Sequence, residues 1–114
     1  MVVVFGRVVR CGGVVGKFLV SVSCRVAKVL KGMGDVFAVG VRFPGCGCWV
    51  RVYASVWISR AGCYLYLGKR LAPMLEELWR AGSLLELDLP ISQDDLSRAL
   101  CGEGGCREPR RATV

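Results

Sequence analysis

The feature that most constrains this chain is a period-two alternation that recurs in four short stretches set off by turn residues. They are `DVFAVGVRF` at 35–43, `GCWVRVYASVWI` at 47–58, `CYLYLG` at 63–68 and `SLLELDL` at 83–89. Successive side chains of a strand point to opposite faces, so each stretch predicts a strand with one apolar face. Phe37, Val39, Val41 and Phe43 line up on one face of the first, and Leu85, Leu87 and Leu89 on one face of the last. Together the strands predict a core face of Val39, Val50, Val52, Val56, Leu65, Leu67, Leu85 and Leu87. Pro44-Gly45 and residues 59–62 are turn signals, and such short connections make the first three strands an antiparallel meander.

Helical signals lie between and after these strands. Residues 72–81, `APMLEELWRA`, carry Pro73 in the first turn and Leu75, Leu78 and Trp79 on one face, and Gly82 ends the run. Ser92 caps a helix running to about Leu100, with Asp95 at the third position and Ile91 and Leu96 placed to staple its entry. Residues 14–31 fit both periods. The strand reading aligns Phe18, Val20, Val22, Cys24 and Val26; the helical reading aligns Val15, Phe18, Leu19, Val22, Val26, Val29 and Leu30. Length, Lys31 and the following Gly32 favour the helix. Residues 2–10 can form a further strand, with a turn at Cys11-Gly12-Gly13. The expected fold class is α+β: a mostly antiparallel sheet of about four strands with helices packed on one face. Residues 1–101 form the single domain, and 102–114 a flexible basic tail.

Composition narrows the function. A membrane-spanning helix needs roughly 20 consecutive apolar residues, and basic residues from Arg7 to Lys31 interrupt the apolar N-terminal third. The start also lacks the pattern of a signal peptide. A cytoplasmic protein without a membrane partner is therefore expected. The net charge of +7 points to an anionic partner, most often nucleic acid. Arg outnumbers Lys 12 to 4, which suits forked phosphate contacts and stacking on rings. Seven Cys, no Asn and one Gln suit the cytosol of a hyperthermophilic archaeon, where disulfides persist.

The absence of His removes His-based triads, bases and metal sites. `CGC` at 46–48 and `CGEGGC` at 101–106 do not have the spacing of a zinc knuckle, so neither metal nor cofactor is expected. Disulfides are the better expectation: Cys101 with Cys106, and Cys46 or Cys48 with Cys63 or a more distant Cys. `GGVVGKF` at 12–18 fails the phosphate-loop spacing. Glu86 and Asp88 share a strand face. That can serve acid–base chemistry but is more often a solvated face, so no enzymatic activity is expected.

The remaining signal is the face turned away from the core. Trp49, Tyr53 and Trp57 come from one strand, Tyr64 and Tyr66 from the next, with Arg42 and Arg51 among them and Lys69 and Arg70 at the rim. Rings stack bases and cations draw in phosphates, which is how single strands are held without sequence preference. The five rings are candidate base-stacking residues, and Arg42, Arg51, Lys69 and Arg70 candidate phosphate contacts. Ala38 and Gly40 on the neighbouring strand leave room for flat bases. The same face also fits a subunit interface, where aromatic residues are enriched.

On these residues the chain resembles the Thermo-DBP family of archaeal single-stranded-DNA-binding proteins, especially its shorter members. The likeness covers roughly 14–100 and lies in the early helical segment, the basic and aromatic meander (`VRF`, `CWVRVYASVW`, `CYLYLGKR`), the helix `LAPMLEELW` and the composition. The resemblance implies sequence-independent binding of single-stranded DNA in an apolar and basic cleft; the residues alone fit RNA as well. It also implies a homo-oligomer, most simply a dimer. The coiled-coil extension of the founding type is absent. The order strand-helix-strand-strand-helix-strand is also similar to the RNA-recognition motif, but the aromatic-glycine signature of its central strand is missing.

Overall fold

The structure, a computed structural model, describes residues 2–10 and 17–101. It contains six strands: β1 (Val2–Arg10), β2 (Phe18–Val22), β3 (Phe37–Arg42), β4 (Val50–Ser59), β5 (Gly62–Tyr66) and β6 (Leu84–Leu89). Three helices complete it: α1 (Cys24–Lys31), α2 (Ala72–Ala81) and α3 (Gln93–Cys101). The strands form a closed barrel in the order β1-β2-β5-β4-β3-β6, and every neighbouring pair is antiparallel.

This overturns the expected four-strand sheet with helices packed on one face. The reason is physical. A sheet with one apolar face must cover it, and six strands suffice to cover it with the opposite wall of the same sheet. Val20, Val39, Val41, Val52, Leu65, Leu85 and Leu87 are all buried in one core cluster. Val50 and Val56, also expected in the core, are half-buried at its margin. β1 is the closing strand, with Val2 opposite Leu89 on one side and Val8 opposite Val20 on the other. The predicted meander is present as β3, β4 and β5.

Residues 14–31 do not form one helix. Residues 18–22 are strand, and Ser23 then switches the chain into α1, its side chain accepting a hydrogen bond from the Arg25 N–H at 3.2 Å. Each competing period holds over part of the segment, the strand over 18–22 and the helix over 24–31. α2 has the bounds and the terminal Gly82 that the sequence predicts. The cap of α3 is also as read: the Asp95 N–H donates to Ser92 Oγ at 3.0 Å, and Ile91 and Leu96 are buried.

The helices close the ends of the barrel. α1 and α3 pack on each other at the end where β2 finishes and β3 starts. α2 lies at the other end, between β5 and β6, and Leu71 and Leu75 join the core there. Cys24 at the start of α1 is bonded to Cys63 of β5, with Cα atoms 5.0 Å apart. Cys63 therefore pairs with Cys24, and not with Cys46 or Cys48, which are exposed free thiols. The expected turn at 11–13, the Cys101–Cys106 bond and the basic tail at 102–114 lie outside the described residues.

Candidate nucleic-acid interface

A barrel's diameter grows with strand number, and eight strands leave an interior just wide enough for side chains. Six leave less, and the interior is occupied by buried side chains such as Val20, Val41, Leu65 and Leu87. Any ligand of this barrel's wall must therefore meet its outer surface.

On β4 the alternation places Val52 and Ala54 inside and Arg51, Tyr53 and Trp57 outside. Tyr53 is 70% exposed and Trp57 39%. Pairing with β5 sets Ser55 opposite Tyr66 and Trp57 opposite Tyr64, so both tyrosines share that outer face, half-buried. The Trp57 and Tyr66 rings are tilted against each other with centroids 6.3 Å apart. Four predicted stacking residues are thus brought onto one wall.

The cations follow from the same register. β5 ends at Tyr66, and Gly68, at φ +84°, turns the chain in a backbone conformation open to glycine but strained for other residues. That turn carries Lys69 and Arg70 back beside β4. They line an open depression of about 270 Å³ together with Arg51, Val52, Tyr53 and Leu67. Arg51, Lys69 and Arg70 form no ion pair with any carboxylate among the described residues.

Trp49 and Arg42 are placed differently. Trp49 precedes β4, and its ring edge comes within 3.3 Å of where a Cβ on Gly40 would sit. A Cβ there would be tight against both the Trp49 ring and Asp88 Cβ, at 3.3 and 3.2 Å. The Arg42 guanidinium lies 4.7 Å from the centre of the Trp49 ring and donates two hydrogen bonds of 2.8 Å to Glu86. These bonds hold the Glu86 carboxyl below its ordinary range and raise Arg42 further, against the opposing effect of desolvation. Arg42 is therefore a neutralised cation over Trp49, on the wall of β3 and β6. Asp88, beside it, has Oδ1 shielded from solvent with no hydrogen-bond partner among the described residues. The two carboxylates singled out in the sequence are thus in unlike settings.

Lys17 belongs to the aromatic wall and was not anticipated. Its ammonium lies 4.7 Å from the centre of the Trp57 ring and 4.8 Å from that of Tyr66. This contact depends on β2 pairing with β5, where Leu19 meets Tyr66. No local pattern announces that pairing, although the strand reading of 18–26 would have put Lys17 at a strand start.

The strand carboxylates are confined to one part of the ring, whereas cations are spread around it. In the order of strands β5 lies diametrically opposite β6. The carboxylates of the six strands, Glu86 and Asp88, are both on β6, whereas β2, β4, β5 and the segment up to Arg70 carry Lys17, Arg51, Arg60, Lys69 and Arg70 and no carboxylate. No helix among the described residues is long and apolar enough to cross a membrane, and no group of three metal-ligating side chains occurs among them. Comparison with protein-family models, with curated protein sequences and with solved structures gave no match.

Proposed function

We propose that the outer wall of β2, β5 and β4 binds single-stranded nucleic acid, DNA foremost, without strong sequence preference. One observation carries the reading: the rings of Tyr53, Trp57, Tyr64 and Tyr66 share a wall with cations that have no carboxylate partner among the described residues, and both strand carboxylates lie on β6, opposite β5 in the ring. Aromatic faces stack bases of any sequence for roughly 1–3 kcal/mol each, and the cations hold the intervening phosphates. Tyr53 and the depression beside it form the centre of the site, Lys69, Arg70 and Arg51 its phosphate contacts, and Lys17 a further cation already seated on two rings. Trp49 and Arg42 flank the site. A duplex hides its base faces, so it cannot use the rings and binds through charge alone.

The test is fluorescence anisotropy of a labelled mixed-sequence single strand at two salt concentrations, with an unlabelled duplex as competitor. Salt-sensitive binding that the duplex competes for poorly supports the reading. Absence of binding at low salt refutes it.

A second reading, favoured by Ile58 standing 48% exposed beside Trp57, makes this wall the interface of a homodimer. Salt separates the two, because an apolar interface holds or tightens as salt rises.

A further inference from the structure

The loop between β3 and β4 carries a feature that nucleic-acid binding does not use. Residues 43–49 read `FPGCGCW`, and both cysteines are exposed free thiols, although the chain holds Cys24 and Cys63 as a disulfide. The loop is anchored at one end by a turn in which the Cys46 N–H donates to the Phe43 carbonyl at 3.1 Å. Around Gly47, between the thiols, no atom outside its two chain neighbours lies within 4 Å of where a Cβ would sit, so the rest of the described fold leaves the loop room to bend. Two Cα atoms separated by one residue are at most about 7.6 Å apart, and a bend shortens that. The site presents two soft ligands, on an open loop, with no third metal-ligating side chain grouped with them among the described residues.

That ligand count selects the ion. Zinc in a structural site takes four ligands in a tetrahedron, and two thiols leave it half-bound. Soft thiolates favour Cu(I), a d10 ion content with two ligands. We propose that Cys46 and Cys48 form a two-thiolate site for a soft, low-coordinate cation of the Cu(I) type. Binding replaces two S–H bonds by two S–Cu bonds. Both protons pass to solvent, and the bis-thiolate complex carries one negative charge. There is no redox step. Because binding releases protons, affinity rises with pH.

The experiment is an anaerobic titration of the whole protein with Cu(I), kept reduced by ascorbate, against a coloured Cu(I) chelator. One equivalent should bind per chain. Serine at either position removes the chelate, so C46S and C48S should each weaken binding on the order of 100-fold or more, the usual gain from a tethered second ligand. The triple variant C11S/C101S/C106S keeps the loop and should bind as the parent does. Zn²⁺ at the same concentration should not compete. Both cysteines are exposed, so circular dichroism melts of C46S and C48S should match the parent and exclude unfolding as the cause. The proposal is overturned if C46S/C48S retains the parent's affinity, or if the triple variant loses the equivalent, which would place the ion on the other thiols.

Discussion

The salt dependence of binding can be worked out from the wall itself. Four cations lie among the rings without a carboxylate partner among the described residues: Lys17, Arg51, Lys69 and Arg70. Each phosphate neutralised on a single strand contributes about −0.7 to the slope of log K against log salt, so four contacts give roughly −2.8. Between 50 and 200 mM salt the affinity should then fall about 50-fold. Replacing Lys69 and Arg70 by Gln halves the contact number, and the same interval should cost only about 7-fold. Arg42 supplies the control. Its guanidinium is already forked onto Glu86, so R42Q should leave the slope almost unchanged although it removes a formal charge. Anisotropy titrations at four salt concentrations measure these three slopes and that of R51Q, which loses one of the four contacts. If R42Q flattens the slope as much as R51Q does, the binding surface is not the wall described. If K69Q/R70Q leaves the slope intact, the depression beside Tyr53 does not hold phosphate.

Three further predictions test other parts of the structure. Y53A and W57A should each weaken single-strand binding by roughly 1–3 kcal/mol, with thermal melts close to the parent because both rings stand outside the core. By contrast L65A, at a fully buried position, should cost about 2–5 kcal/mol of stability in a denaturant titration. C24S opens a cross-link spanning 39 residues of sequence, and chain entropy puts the loss near 4 kcal/mol; a parent melt in strong reductant should fall to match it. Glu86 has a folded pKa below its unfolded value. Its contribution to stability is present above the unfolded carboxylate pKa and is lost as pH falls through the folded one. E86Q should therefore flatten the acid limb of melting temperature against pH, and a limb of unchanged steepness would exclude the Arg42 fork as its source.

What could be read in the sequence was local. The outward set on β4 follows from alternation alone, and α2 and the Ser92 cap from residues within a few positions of one another. The barrel was not legible, because its closure rests on β1 meeting β6, β2 meeting β5 and β3 meeting β6, pairings that no turn connects. The error at 14–31 has a definite origin. A strand and a helix of similar apolar content abut at Ser23, and a period counted across that join fits either. Arg42 shows the corresponding limit for the site. Its place among aromatic residues was visible, but the carboxylate that neutralises it comes from a strand 44 residues later. Lys17 shows the converse: it reaches the rings only through the β2–β5 ladder.

The ring order also sets a schedule for the growing chain. One stretch prone to intermolecular stacking is β4, `VRVYASVWIS`, with β-branched and aromatic residues and no proline. Its two partners, β3 and β5, are the strands synthesised just before and just after it, so its edges are covered almost at once. β1 has the opposite fate. One of its edges waits for β6, with Val2 pairing only when Leu89 has been made. Pairing at such separation is slow, and an open edge is what recruits other chains. The strand left waiting is also the one with Arg7 and Arg10, charges that discourage an unwanted neighbour until the native one arrives.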